Sequence, residues 1–400
     1  MLPLEQARAR LLERGRLTEG ELISLADALG RVLVDPTVVA AVDVPAFANS
    51  AMDGYAVIAA DTPGTLRLIG EVTAGASELP TVAPGTAVRI MTGAPVPPGA
   101  DAVVPVERAV EAGGSVEAGA AELGDHVRTA AHDTRAGDAI ELSGELTPPK
   151  IAVLASIGLG EVMVRRRPRV AILSTGDELI GAGEPLGPHQ IHDSNGVALA
   201  AAVRDAGGAP VILPRARDDA DEIERTLTEA AGWADLLVTS AGVSVGRHDH
   251  VRAVIEQRGE LDFWRIAIQP GKPLAVGELA GVTVVGLPGN PVSALVVFEL
   301  FVRPLVRAML GLHGDGRSHV RAVATDRMGK DRERRGFLRV RLAPDADGIS
   351  AHPAGGQQSS QLRPMADANA LLVVPEGVDA AEPGVPYEAI VLEPLTLTDR

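Results

Sequence analysis

Three glycine-punctuated loops, each closing an apolar strand, constrain this chain more than anything else in it. They read Ser174-Thr175-Gly176-Asp177-Glu178, Thr239-Ser240-Ala241-Gly242-Val243-Ser244-Val245-Gly246 and Gly286-Leu287-Pro288-Gly289-Asn290-Pro291-Val292-Ser293. The strands predicted before them are Arg169–Leu173, Leu236–Val238 and Val282–Leu287, and helical patterns follow the second and third. Strand, Gly/Ser loop and helix in succession bring backbone N–H groups and short polar side chains to the carboxyl edge of a parallel sheet. Three such loops in one domain define one composite pocket, suited to a phosphorylated or otherwise anionic ligand. They point to an enzyme.

Composition narrows the ligand and the setting. Lys and Arg total 37 against 53 Asp and Glu, a formal charge of −16. So acidic a chain repels nucleic acid and anionic membrane, and no sizeable basic patch offsets this. An anionic substrate must be held by local N–H groups and a few placed cations. Cysteine is absent, which excludes disulfides, thiolate metal sites and cysteine nucleophiles. No apolar run approaches the ~20 residues of a membrane span, and the N-terminus opens on a charged amphipathic helix without a signal-peptide core. The expectation is a soluble, cytoplasmic protein.

Four hundred residues exceed one ordinary core, so about two to four domains are expected. Residues 3–15 and 20–32 show helical periodicity. From residue 41, recurrent glycines separate short strands such as Thr65–Ile69, Ala87–Met91 and Ala102–Val106, the pattern of a small β domain. Helix returns at Pro148–Ile157, and the tract Arg165-Arg166-Arg167 reads as a solvated linker. In the α/β domain, Asp193-Ser194-Asn195 caps a helix at 196–206, another follows at 220–232, and Pro291 opens a long apolar helix to Leu310. Beyond Gly314 the pattern is β again: His319–Ala324, Arg335–Leu342, Gly348–Pro353, Ala370–Pro375 and Glu388–Leu392.

Asp177, Glu178, Asp218 and Asp249 lie in or beside loops of the α/β domain, and carboxylates gathered at an anion site suit Mg²⁺. Asp218 and Asp219 have an equally good reading as caps of the following helix. Lys272, in Gln269-Pro270-Gly271-Lys272-Pro273, is bracketed by prolines that fix its stem, which suits a cation aimed at a phosphate. Asn49–Val57 and Arg89–Pro97 read as recognition loops or as plain β-turn chemistry, Asp53-Gly54 being a hairpin signal. His248 and His250 flank Asp249, and an isolated H-x-H is weak evidence for a metal.

Together these segments resemble the molybdopterin molybdenumtransferase family, to which the gephyrin E domain also belongs. The resemblance covers nearly the whole chain. It runs through Asp43–Phe47, Ser50–Ala56, Arg89–Pro97, Ser174–Leu179, Asp193-Ser194-Asn195, Ser240–Gly246 with Asp249, Pro270–Pro273, Leu287–Ser293, Arg335-Gly336-Phe337 and Gln358-Ser359-Ser360. It implies a multidomain α/β plus β fold. A helical platform is expected at 1–40 and 134–167, an inserted β domain at 41–133, a three-layer molybdopterin-binding α/β domain at 168–312 and a C-terminal β barrel at 313–400. It further implies a homodimer, with the cleft between the α/β domain of one chain and the β domain of the other. The implied reaction inserts molybdate into adenylylated molybdopterin with Mg²⁺, releasing AMP and molybdenum cofactor. Implied partners are the molybdopterin adenylyltransferase and recipient molybdoenzymes.

Carried over, the implied catalytic positions are Asp53, Thr92, Asp133, Glu178, Asp218 and Asp249, of which Glu178, Asp218 and Asp249 would hold the metal. The implied ligand-binding set is Ser174, Thr175, Gly176, Asp177, Ser240, Gly242, Ser244, Gly246, Arg265, Lys272, Pro288, Gly289, Asn290, Pro291, Ser293, Ser359 and Ser360. Three departures stand out. Arg265 and Gln269 occupy positions where many members carry lysines, so Gln269→Lys is expected to lower the oxyanion concentration needed. Ala241 replaces a glycine and is expected in a backbone conformation open to a Cβ. Arg247 and His248 replace small or acidic residues. Competing readings are a stand-alone molybdopterin adenylyltransferase, which lacks the flanking domains, a tungstate-inserting paralogue, and a non-catalytic molybdopterin-binding scaffold.

Overall fold

The computed structural model describes residues 2–241, 250–345 and 348–394. The chain forms two compact units, one of residues 22–164 and one of residues 1–21 with 165–400.

In the larger unit a six-stranded sheet runs in the order Ala209–Ile212, Arg169–Ser174, Leu236–Ser240, Val282–Leu287, Pro273–Leu279, Glu260–Arg265. The first four strands are parallel, and Pro273–Leu279 runs antiparallel to both its neighbours, Val282–Leu287 and Glu260–Arg265, so the expected parallel sheet ends in antiparallel pairings. Successive side chains alternate between two apolar cores. Val170, Ile172, Leu236, Val238, Val285 and Leu287 face one, with the helices Leu4–Leu12, Ser194–Asp205 and those following Pro291. Ala171, Leu173, Leu237 and Val284 face the other, under the helices Ala220–Ala231 and His250–Arg258. Strands covered on both faces must be apolar at every position, hence the continuous hydrophobic runs in the sequence. The Pro291 helix reaches Met309 as expected, with a π-helical stretch over Phe298–Val302.

C-terminal to these helices, the strands His319–Ala324, Arg335–Asp345, Gly348–Pro353, Ala370–Val374 and Pro386–Val391 close into a five-stranded barrel, because Arg335–Asp345 pairs with both Gly348–Pro353 and Ala370–Val374. Its interior is filled by small and branched side chains, including Ala322, Ala324, Val340, Ala351 and Ala389. The alternate positions Phe337, Leu371 and Ile390 face outward into the α/β core. The short strand Ile268–Gln269 adds in parallel to Arg335–Gly336, a second tie between barrel and α/β domain.

The smaller unit is built on a six-stranded sheet ordered Ala102–Pro105, Gly54–Val57, Thr86–Ile90, Gly64–Val72, Ser115–Ala118, Ala109–Ala112. Tyr55, Val57, Ala87 and Val104 face one core, and Ala56, Val88, Ile90 and Val103 the other. A third cluster gathers Leu33, Leu142 and Val164 around Leu154 of the helix Pro148–Ser156.

Two sequence expectations need correcting. Residues 20–32 are not helical: Gly20–Ser24 is a strand paired with Glu161–Arg165, followed by a single 3₁₀ turn, Leu25–Asp27. The Ser24 hydroxyl accepts from the Ala26 N–H at 3.3 Å and starts that turn, and the mixed Gly/Ser content leaves pairing stronger than local helix preference. The arginine tract is not a solvated linker either. Arg166 binds Asp235 bidentately at 2.8 and 2.9 Å, while Arg165 and Arg167 donate to the carbonyls of Thr18 and Gly207. A half-buried guanidinium needs partners, and these three have them.

Candidate active site

Three strand ends converge in the larger unit. The Thr175 N–H donates to the Ser240 carbonyl at 3.3 Å, and the Ala241 N–H to the Leu287 carbonyl at 3.1 Å, so the loops after the three parallel strands lie side by side. Asn195 joins them through its side chain. Its amide nitrogen donates to Ser240 Oγ at 2.6 Å and to the Gly289 carbonyl at 2.7 Å. It stands in the first turn of the Ser194–Asp205 helix, whose N-cap Asp193 accepts from the Gly196 N–H at 2.9 Å. The quoted triplet Asp193-Ser194-Asn195 therefore does two jobs, a cap and a cross-brace, and only the cap is apparent from sequence.

These loops line a cavity of about 1070 Å³. Of the predicted residues, Thr175, Glu178, Ser240, Lys272, Pro288, Gly289, Asn290, Pro291, Ser293, Ser359 and Ser360 all reach its wall. The two serines come from the barrel. Asn290 donates its side-chain amide to Ser359 Oγ at 3.1 Å, and the Val292 N–H meets the Ser359 carbonyl at 3.3 Å. The rigid Pro288–Pro291 turn thus holds the barrel loop against the α/β domain. Lys272 is exposed at the end of a turn whose Gly271 has φ +109°, where a Cβ would lie 2.4 Å from Val297 Cγ2. Only glycine fits there.

Other predicted residues lie off the wall. Ser174 is buried behind it, its hydroxyl without a hydrogen-bond partner. Gly176 has φ +146°, and the Glu178 carboxylate folds over it so closely that a Cβ would approach Oε2 to 2.7 Å. Asp177 accepts from the Asp218 N–H at a long 3.4 Å. Asp219, not Asp218, caps the next helix, its Oδ1 accepting from the Glu222 N–H at 2.8 Å. The pair left open by sequence is thus divided: one cap, one carboxylate without a capping bond. Arg265 is exposed and is not among the lining residues. Gly242, Ser244, Gly246 and Asp249 lie outside the described residues.

In the smaller unit, Asp53 and Thr92 meet directly. Asp53 Oδ1 accepts from both the N–H and the hydroxyl of Thr92, each at 2.7 Å. The Thr92 backbone N–H foremost, and then its hydroxyl, hold the Asp53 carboxyl below the usual range. Asp133 is exposed, its backbone N–H bonded to the Val44 carbonyl.

Sequence reasoning singled out Gln269 as a departure near the anion site and missed two contributors, Arg334 and Arg339. Gln269 and Arg334 line the cavity. Gln269 Oε1 accepts from the Asp331 N–H at 2.6 Å, a bond a lysine there could not accept. Arg339 is fully buried on the barrel's outer face and donates to the carbonyls of Gly356 and Gln358, propping the loop that carries Ser359. Its Nε and Nη1 have no partner, and burial lowers its pKa to about 10, still far above neutrality. The one available signal was a charged residue at an outward position of a strand otherwise packed on both faces. Ala241 also departs from expectation. It has φ +81°, in the left-handed region, where its Cβ is tolerated but strained. The carbonyl it faces, Leu287, ties it to the neighbouring strand end and leaves it little freedom to relax.

Family comparisons agree with this architecture along the chain. Residues 2–158 match the MoeA N-terminal region, domains I and II. Residues 171–308 match a probable molybdopterin binding domain, and residues 321–392 the MoeA C-terminal region, domain IV. The chain is 43% identical to molybdopterin molybdenumtransferase 2 of Mycobacterium tuberculosis, covering 89% of this chain and 91% of that one. It is 36% identical to the molybdopterin molybdenumtransferase of Haemophilus influenzae, over 98% of both chains. A molybdopterin biosynthesis MoeA protein from Pyrococcus horikoshii superposes with a TM-score of 0.82 at 27% identity, over 98% of this chain and 100% of that one. With all three family regions matched in order and 43% and 36% identity over most of its length to named members, the chain belongs to the molybdopterin molybdenumtransferase family.

Proposed function

We propose that this chain carries out the metal-insertion step of molybdenum cofactor biosynthesis, transferring molybdate into adenylylated molybdopterin with release of AMP. The observation that carries the reading is the cavity itself. Three strand-end loops braced by Asn195, with Ser359 supplied by the barrel, line about 1070 Å³ in the segment matching a molybdopterin binding domain. Loop N–H groups and hydroxyls suit the phosphates, Lys272 adds a cation on a stem fixed by its turn, and the substrate brings its own dithiolate, so a cysteine-free protein can serve a sulfur-ligated metal.

A magnesium ion fits the donors at hand. Glu178 lines the cavity and its carboxylate makes no hydrogen bond or ion pair with another described residue. Among the described residues no three His, Asp or Glu side chains form a ready-made cage, which is the ordinary situation for Mg²⁺, held by one or two carboxylates plus phosphate oxygens. Glu178 and Asp218 would hold it, with Asp249 as the further ligand implied by resemblance. Bound there, the ion would neutralise charge on the phosphoanhydride. Among the described residues no helix is long and apolar enough to cross a membrane.

We also infer that the working form is a homodimer in which Asp53, Thr92 and Asp133 of one chain complete the cavity of the other. The support is that these residues belong to a separate compact unit from Glu178 and Lys272. The partners fitting this chemistry are an adenylyltransferase that supplies the substrate and molybdoenzymes that receive the product. The test mixes an Asp53→Ala chain with a Glu178→Ala chain and assays AMP release. Activity in the mixture above that of either mutant is the expected result. A mixture as inactive as its components removes the shared cavity, and a wild-type chain that releases no AMP removes the reaction.

A further inference from the structure

Among the described residues two lysine or arginine side chains line the cavity, Lys272 from the α/β domain and Arg334 from the segment before the long barrel strand. They are held in different ways. Lys272 is exposed, and a rigid turn fixes only its stem. Arg334 is held at its head. Its Nε donates to Asp331 Oδ2 at 2.8 Å and a terminal nitrogen meets the same oxygen at 2.6 Å. Asp331 is itself fixed twice: its N–H donates to Gln269 Oε1 at 2.6 Å, and its Oδ1 accepts from the Glu333 N–H at 2.9 Å. Lys330 closes the turn from behind by donating to the carbonyls of Asp331 at 2.9 Å and Arg334 at 2.7 Å.

We propose that Arg334 is an anion-recognition residue of this cavity, and that Gln269 and Asp331 are positioning residues that aim it. The inference rests on the anionic-ligand reading of the cavity given above. A guanidinium offers five N–H donors in a planar fork. Asp331 occupies one edge, and the other edge remains for phosphate or oxyanion oxygens. The pinning matters because a free arginine loses rotamer freedom on binding, and a side chain already fixed has less to lose. Gln269 is suited to its role by being a neutral acceptor. Its amide oxygen takes the Asp331 N–H without adding a second negative charge beside Asp331, which would compete for Arg334. The Ile268–Gln269 strand also pairs with Arg335–Gly336, so both ends of the Arg334 turn are referenced to the same α/β segment.

The test uses the full-length chain and two probes, AMP and molybdate, with binding followed by titration calorimetry at two salt concentrations. Arg334→Ala is expected to weaken the binding of at least one probe by about 10-fold and to flatten its salt dependence. Gln269→Leu, which removes the acceptor but no charge, is expected to weaken it by about 3-fold. In the Arg334→Ala background Gln269→Leu is expected to add nothing, since it acts only through Arg334. Unchanged binding in Arg334→Ala, with the melting temperature intact, overturns the inference. So does a Gln269→Leu loss that persists undiminished without Arg334, which marks Gln269 as a ligand contact or a fold residue. If Arg334→Ala does not fold, Arg334→Lys keeps charge and bulk but loses the fork, and wild-type affinity in it is equally fatal. A wild-type chain that binds neither probe overturns the anionic reading itself, an outcome distinct from all of these.

Discussion

The two sets of implicated carboxylates are held in opposite ways. In the smaller unit Asp53 is held through one oxygen, which accepts two 2.7 Å bonds from Thr92 that keep its carboxyl below the usual range. In the larger unit Glu178 has no partner among the described residues, and Asp177 has one long bond at 3.4 Å. A carboxylate whose bonds are all internal is locked in one geometry and kept ionised. One left without bonds keeps its lone pairs for something that arrives later, such as a cation. The comparison separates an acid oriented by its own loop from acids left without close internal partners among the described residues.

The strongest break of that comparison is at the acids of the larger unit. Glu178→Gln and Asp218→Asn are expected to lower AMP release by ~10²-fold or more while AMP affinity changes little. Affinity that collapses together with rate, measured by calorimetry, would reassign them to binding or folding. Next comes the brace. Asn195→Asp keeps the size but removes the donor to Ser240 and Gly289, and about 10-fold weaker AMP binding is expected, equivalent to about 1.4 kcal/mol. Wild-type affinity there would mean the loops hold their positions without Asn195.

Asp219 and Asp218 form an internal control. Asp219→Ala removes the N-cap and should cost about 1 kcal/mol of unfolding free energy in urea titrations, with AMP release intact. Equal loss of activity in both variants would dissolve the distinction between them. At the locked acid, Thr92→Val deletes the hydroxyl bond and keeps the backbone one. A depressed folded-state pKa means the pair contributes fully above the unfolded value and loses its contribution as pH falls through the folded value. Thr92→Val raises the folded value, so the acid-side fall in AMP release should begin at higher pH than in wild type. An unshifted pH–rate profile would detach Asp53 from the rate. The smallest effect is expected at Ala241, where relief of the left-handed strain outweighs the entropy glycine adds to the unfolded chain. Ala241→Gly should stabilise by about 0.5–1 kcal/mol, and destabilisation would show that the loop tolerates a Cβ without strain.

Much of this was legible in the residues. The runs Arg169–Leu173, Leu236–Val238 and Val282–Leu287 announced apolar strands of a parallel sheet, and the segments after Gly314 announced a β domain that the family resemblance implied to be a barrel. Punctuation by Gly, Pro and Asp marked where each strand stopped and where the helices at Ser194, Ala220 and Pro291 began. The region 20–32 misled because its apolar residues satisfy a helical period locally, while the partner strand Glu161–Arg165 lies far along the chain.

What the sequence alone determined, then, was the local menu: which segments are strands or helices, and which short loops end them, because backbone preference and side-chain period act over a few residues. It also settled the absence of thiol chemistry and the acidic character that forces anion binding to be local. Only the tertiary structure decided which side chains meet. Asn195 reaches Ser240 across 45 residues and Gly289 across 94, Gln269 reaches Asp331 across 62, and Asn290 reaches Ser359 across 69. Each of these bonds depends on how the strands are ordered and how the barrel packs on the sheet. No local preference encodes that order, since it follows from burying the Phe337, Leu371 and Ile390 face against the α/β core, a choice made by the whole chain at once.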